Sequence, residues 1–260
     1  MKIGSDNIGS LFLGTEEFGK AYLGSELVYG HHTHNLPSGY KECEYVEVTC
    51  DYTESGPYIR TGVLASSELR VVAKIQIGLV TTDVWPMAFG VRSTDNNQRY
   101  ECFGHNNYVQ SCYIKGSAYG TDYRTTSTAP HTIDMNKYRL IYDGVEYPSS
   151  TQESWTSNLD FYIMALNNLD NSDGNGSFHS KYYYFQIYDG NTLVRDYIPA
   201  YQESSGDYGL YDLVNDTFVT TQVYKQYLTG KIIRVPDGKM SLLMSKSFIA
   251  DNPTIQQLLQ

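Results

Sequence analysis

The stretch from Lys181 to Phe218, KYYYFQIYDGNTLVRDYIPAYQESSGDYGLYDLVNDTF, constrains the fold more than any other part of the chain. Apolar residues at Tyr183, Phe185 and Ile187 recur with period two, the mark of a strand with one face buried, and Asp189-Gly190 then supplies a turn. Leu193, Arg195 and Tyr197 fall on one side of the next run and Val194, Asp196 and Ile198 on the other. An antiparallel hairpin is therefore expected, its second strand stopping near Pro199, which has no N–H to give to a ladder. Composition agrees: 25 tyrosines, 9 phenylalanines and 22 glycines with only 18% charged residues favour strands and turns over helices.

The same alternation recurs upstream. LRVVAKIQIGLV from Leu69 and VWPMAFGV after Thr81-Thr82-Asp83 read as strands, and Arg99 to Phe103 with Tyr108 to Ile114 as a hairpin. Thr132 to Met135, Tyr138 to Tyr142 and Val145 to Tyr147 are separated by Asn136-Lys137 and Asp143-Gly144, both good turn pairs. Leu159 to Asn167 is a further strand with Phe161, Ile163 and Ala165 inward. Short strands about ten residues apart, with no helical period between them, predict an all-β, two-sheet antiparallel jelly-roll sandwich. At 260 residues the chain suits one large domain with appendages.

Two motifs in this stretch, L-V-R-D-Y-I-P from Leu193 and G-L-Y-D-L-V-N from Gly209 to Asn215, resemble the closing hairpin of a concanavalin A-like (laminin G-like) jelly-roll module of phage and prophage tail and fibre proteins. Leu36 to Gly62, LPSGYKECEYVEVTCDYTESGPYIRTG, is similar to that family's opening. Cys43 stands where an aliphatic residue is usual, Asp51 to Gly56 lengthens a connection, and Arg60 occupies a commonly acidic position. The resemblance covers residues 36 to about 220 and implies a phage setting and a displayed, lectin-like sandwich.

The first thirty residues carry a different signal. Ile3-Gly4-Ser5-Asp6-Asn7-Ile8, Leu13-Gly14-Thr15-Glu16-Glu17-Phe18 and Leu23-Gly24-Ser25-Glu26-Leu27-Val28 share the pattern apolar, Gly, Ser/Thr, acidic, any, apolar. Each copy reads as strand, tight turn, strand, with glycine where positive φ is needed. So small a segment cannot bury a core alone, and completion by other copies of the chain or by another protein is expected. The expected organisation is therefore a β-repeat attachment segment at 1–30, a His-rich linker at 31–35, the sandwich at 36–222 and a basic extension at 223–260.

Candidate sites follow from residue chemistry. His32 and His34 form a His-x-His that, repeated on three chains, would offer six imidazoles to a transition metal; the alternative is a solvated linker. Asp170 to Gly176, with Asp170 and Asp173, has the alternating oxygens that suit a hard cation, or is an ordinary polar turn. Tyr182, Tyr184 and Tyr188 are candidates for stacking on sugar faces, or for packing on a neighbouring sheet or subunit. Glu42, Glu44 and Glu47 invite comparison with paired glycosidase carboxylates, but a solvated strand face suits their context better. No enzyme, and no cofactor beyond a possible structural metal ion, is expected.

The formal charge of −10 argues against a nucleic-acid partner, because duplex binding depends on neutralising phosphates. Val223 to Gln260 runs the other way, with Lys225, Lys231, Arg234, Lys239 and Lys246 against Asp237 and Asp251. Asn252 with Pro253 would start a short terminal helix. No secretion signal or membrane span is expected. Cys102 and Cys112 flank a turn and could face one another across it, although free thiols are expected in a reducing cytoplasm. The expectation is thus a non-enzymatic phage virion protein, a fibre or adhesin subunit made in the host cytoplasm. It would assemble as a trimer, contact other virion proteins through residues 1–30 and bind host surface glycan. A head or tail decoration protein without ligand is the alternative, and a glycan-cleaving enzyme a third.

Overall fold

The computed structural model describes side chains over residues 34–48, 57–77, 87–92, 99–102, 129–148, 154–169, 180–222 and 228–233, and the backbone of further strands. The chain divides into two compact units, Leu36–Ile233 and, separately, Met1–Asn35 with Arg234–Gln260.

The smaller unit contains β1 (Lys2–Ile3), β2 (Asp6–Asn7), β3 (Phe12–Leu13), β4 (Glu16–Glu17), β5 (Lys20–Leu23) and β6 (Glu26–Gly30). They pair as β1–β2, β3–β4 and β5–β6. The closing pairs are Ile3 with Asp6, Leu13 with Glu16 and Leu23 with Glu26, so each hairpin brackets the Gly-Ser or Gly-Thr of one sequence copy.

The larger unit begins with β7 (Tyr40–Val48), β8 (Ile59–Ser66), β9 (Leu69–Gln76), β10 (Met87–Arg92), β11 (Arg99–His105) and β12 (Tyr108–Ile114). Next come β13 (Gly120–Thr121), β14 (His131–Met135), β15 (Arg139–Tyr142), β16 (Val145–Pro148), β17 (Thr156–Ile163) and β18 (Leu166–Asn168). It ends with β19 (Asn171–Asp173), β20 (Lys181–Asp189), β21 (Thr192–Gln202), β22 (Asp207–Asp212), β23 (Thr217–Val219) and β24 (Leu228–Ile232). No helix occurs among the described residues. One sheet runs β16-β15-β14-β9-β20-β7-β21-β22-β23 with β24 joined to β7, and the other β13-β12-β11-β10-β17-β8 with β18 and β19 attached. All pairings are antiparallel except β10 with β18. The architecture is the expected all-β, two-sheet jelly-roll sandwich.

Its core lies between the two sheets. Val71, Ala73 and Ile75 of β9 and Phe185 and Ile187 of β20 face Phe89 of β10 and Phe161 of β17, all nearly inaccessible to solvent. The Phe89 ring meets Phe185 edge-on at 5.1 Å and Tyr100 meets Phe161 at 5.4 Å. Such contacts add about 0.5–1.5 kcal/mol each beyond the area they bury. Buried phenols also call for hydrogen-bond partners, and two of them find theirs across the core. Tyr100 of β11 donates to the Met135 carbonyl at 2.5 Å and accepts from the Val71 N–H at 3.2 Å; Tyr182 of β20 donates to the Ala88 carbonyl at 2.8 Å. Each sheet thus sends a tyrosine into the backbone of the other.

The two sequence motifs at opposite ends of the domain meet in space. Gly39, at φ +92°, turns the chain after Leu36 so that Tyr40 lies against Tyr211 at 5.0 Å and Phe218 at 5.4 Å. Together they cover Ile198 and Ala200 on the sheet face away from the main core. A Cβ on Gly209 would stand 2.3 Å from the Val219 carbonyl oxygen and 2.6 Å from the Phe218 ring, which explains glycine there. Asp212 organises the turn that follows. Its carboxylate accepts from the Asp196 and Val214 N–H groups at 3.1 and 3.0 Å and from the Asn215 side chain at 2.6 Å. It also lies 3.5 Å from Arg195, whose Nε donates at 2.9 Å to the Thr61 carbonyl of the other sheet. Burial, and then the Asp212 carboxylate, push the neighbouring Tyr197 phenol far above its ordinary range.

Three expectations need correction. β21 does not stop near Pro199 but continues to Gln202. On one edge it pairs with β20 up to Tyr197 and with β7 from Ala200 onward, so Pro199 falls where the partner strands change and no ladder bond is asked of it. The single strand expected over Leu159 to Asn167 is broken: Met164, at φ 71°, donates its N–H to the Ala88 carbonyl and redirects the chain from β17 to β18. Residues expected to open the C-terminal extension join the sandwich instead, because β24 pairs with β7 from Leu228 opposite Val48 to Ile232 opposite Cys43. Residues 234–260, with the terminal helix expected from Asn252, lie outside the described residues. The alternative of Cys102 and Cys112 facing one another does not hold, since Cys102 is registered opposite Ser111 and Cys112 opposite Glu101. Cys43 and Cys102 are free thiols.

Replacing Asp212 by Ala leaves Arg195 without its anion and the Asp196 and Val214 N–H groups without their acceptor. We expect a loss of about 3 kcal/mol in denaturant unfolding, against about 1 kcal/mol for Asn215→Ala. Burial and the adjacent Glu42 push the Cys43 thiol up to about 12, and burial raises Cys102 as well. Iodoacetamide at pH 8 should therefore leave both unlabelled in the folded chain and modify both after denaturation, as read by peptide mass mapping.

Candidate sheet-face binding site

The outer face of the larger sheet gathers the side chains best suited to contact a ligand. β9 alternates strictly, with Leu69, Val71, Ala73 and Ile75 inward and Arg70, Val72, Lys74 and Gln76 outward. β20 would do the same but for a bulge: Tyr182 is opposite Ile75 and Tyr184 opposite Lys74, so Tyr183 is an extra residue. An extra residue shifts the side-chain phase, which lets Tyr182 and Phe185 both point inward while Tyr183 and Tyr184 lie half-buried on the outer side. β7 has a matching irregularity. Tyr45 is opposite Lys231 and Cys43 opposite Ile232, leaving Glu44 as the extra residue and Glu42, Glu44, Tyr45 and Glu47 on the face away from Cys43, Val46 and Val48.

The result is a tyrosine row interleaved with cations. Tyr45 and Tyr183 meet at 5.7 Å, Lys181 Nζ lies 4.5 Å from the Tyr45 ring centre and Lys74 Nζ 5.2 Å from that of Tyr183. Arg70 sits 5.1 Å over Tyr188 and holds Asp134 by two bonds of 2.7 Å. Amides fill the spaces between: Tyr183 donates to Gln76 at 3.3 Å, Tyr188 to Gln186 at 3.2 Å, and Gln186 to Asp196 at 3.0 Å. Burial is the main cause of the raised phenol of Tyr183, with Glu44, Tyr45 and Glu47 adding to it, and of Tyr184, with Asp134 adding. These phenols stay protonated, and so stay donors, throughout the physiological range. Two acids of this face are tied to cations, Glu44 to Lys231 at 2.5 Å and Glu47 to Lys181 at 3.9 Å.

Of the three tyrosines expected to stack on sugars, Tyr184 and Tyr188 lie on this face and Tyr182 does not. Tyr182 is 0% exposed and spends its hydroxyl on Ala88, so its assignment as a ligand contact is corrected to a core residue. Tyr45 and Tyr183 belong to the row but were not anticipated, because counting by twos from Phe185 turns Tyr183 inward. The only warning in the sequence is the run Tyr182-Tyr183-Tyr184 itself, where no polar residue marks the phase.

Of the candidate metal ligands, His32 and Asp170 lie outside the described residues, as does the side chain of Asp173. His34 is exposed. Asn171–Asp173, expected in a loop, is β19, registered against β18 with Leu166 opposite Asp173 and Asn168 opposite Asn171. Among the described residues no group of three His, Cys, Asp or Glu side chains could hold a metal ion.

No protein-family model matches the chain, and no curated protein matches it. Among solved structures it is similar to the mouse laminin alpha1 chain, domains LG4-5, with 14% identity over 61% of this chain and a TM-score of 0.38. The match spans 44% of that structure, less than half its length. At that score and identity the likeness bears on neither the tyrosine face nor a ligand.

Tyr182→Phe removes one buried bond and should cost about 1 kcal/mol in thermal or denaturant unfolding, whereas Tyr184→Phe should change stability by less than about 0.5 kcal/mol.

Proposed function

We propose that the chain is a non-enzymatic structural subunit that displays its sandwich outward and binds glycan on the outer face of the larger sheet. The observation that carries this reading is the tyrosine row of Tyr45, Tyr183, Tyr184 and Tyr188 with its interleaved amides. Aromatic faces accept the C–H faces of sugar rings, and amides and phenols meet hydroxyls. The chemistry favours binding over cleavage. Glycosidic hydrolysis requires one carboxyl to give a proton and a second to attack or activate water, and Glu44 and Glu47 each face a lysine.

The virion setting, as a phage fibre or adhesin subunit, rests on the sequence resemblance at residues 36–62 and 181–218. The attachment role of residues 1–30 rests on the ten-residue repeat. Under this reading the chain is made in the host cytoplasm and carried on the particle. A decoration protein without ligand is the second reading, favoured by the cations already seated over Tyr45, Tyr183 and Tyr188.

Glycan-array and host-cell binding with the full chain separates the two. We expect saturable binding that Tyr184→Ala weakens about threefold to tenfold, the scale of one stacked ring, without loss of fold. Glu44→Gln should leave binding intact, and no polysaccharide cleavage should be seen with either chain. A well-folded chain that binds no glycan and no cell surface would leave the decoration reading.

A further inference from the structure

β1 to β6 form three two-stranded sheets, and among the described residues no third strand adds to any of them. A lone hairpin carries unpaired N–H and C=O groups along both outer edges and is marginally stable in water. Here the hairpin is repeated three times with one register, an acidic residue closing each turn opposite Ile3, Leu13 and Leu23. A surface repeated at a fixed interval is matched at every copy only by a partner with the same interval. Another copy of this chain has it by construction.

We propose, resting on the reading of residues 1–30 as the assembly segment, that these hairpins pair edge to edge with the same hairpins of other copies of the chain. The longest, β5–β6, supplies most of the new ladder. Its register steps between Ala21 and Tyr22, leaving Val28 as an extra residue. A bulge twists the strand locally and breaks the equivalence of neighbouring registers, so an added strand is held in one alignment.

Amide hydrogen exchange on the purified full chain, from dilute to concentrated, tests this alongside light scattering. The chain alone should form an oligomer at micromolar concentration, and peptides covering residues 20–30 should exchange about tenfold or more slowly as concentration rises. Leu27→Pro should abolish both effects while the near-ultraviolet circular dichroism of the sandwich tyrosines stays unchanged. A chain that is monomeric at every concentration overturns the proposal, as does an oligomer whose residues 20–30 gain no protection or which survives Leu27→Pro. Protection independent of concentration and lost on removing residues 234–260, the other part of this unit, would assign the edges to the chain's own C-terminal segment and also overturn it. Glycan binding is read separately, so failure here is distinct from failure of the displayed-sandwich reading.

Discussion

A sandwich that fills its interior with tyrosine takes on an obligation to partner the hydroxyls it buries, and here two of them meet it by joining the sheets. Phenylalanine would bury the same ring without the obligation. Tyrosine converts the obligation into a link, because a ring long enough to cross the core can deliver its O–H to the backbone of the facing sheet. Tyr100 does so toward Met135 and Tyr182 toward Ala88, from opposite sides of the core. The Ala88 carbonyl also accepts from Met164, whose left-handed backbone turns β17 into β18. One carbonyl thereby holds both a cross-sheet link and a change of strand direction.

The polar counterpart lies near the closing hairpin. Arg195 reaches Thr61 of the other sheet while Asp212 gathers Arg195, the Asp196 amide of β21 and the Val214 amide of the following turn. A buried ion pair is weak as a source of stability but demanding in geometry, since each partner must keep the other. That is a physical reason for the L-V-R-D and G-L-Y-D-L-V-N motifs to occur together: their Arg and Asp meet on adjacent strands. The opening L-P-S-G-Y motif joins the same region through Tyr40, which rests on Tyr211 and Phe218. The pattern that links the two ends of the domain in sequence is thus a contact between them in space.

The binding face depends on the bulges in β20 and β7. Without the extra residue at Tyr183, Tyr182 would share the outer face with Tyr184 and Tyr183 would turn inward in its place. With it, Tyr183 and Tyr184 face outward together, and Tyr183 meets Tyr45, itself displaced by the extra residue at Glu44. Two local irregularities on neighbouring strands bring Tyr45 and Tyr183 together on the outer face, and Lys74, Lys181 and Arg70 give the tyrosines of that face their cationic lining.

What the sequence determined by itself is local. The period-two runs, the Asp189-Gly190 turn, the hairpin of β20 and β21, and the three Gly-Ser or Gly-Thr hairpins of the first thirty residues follow from spacing and turn chemistry, which act between near neighbours and need nothing distant. Phase was decided by the tertiary structure. Whether Tyr182 or Tyr183 enters the core depends on which strand lies beside β20 and where it accepts an extra residue, and Pro199 can sit inside a strand only because β20 gives way to β7 at that point. β24 likewise becomes a strand through the offered edge of β7. These outcomes are set by pairing between residues far apart in the chain, and no pattern within a single run encodes which partner will be there.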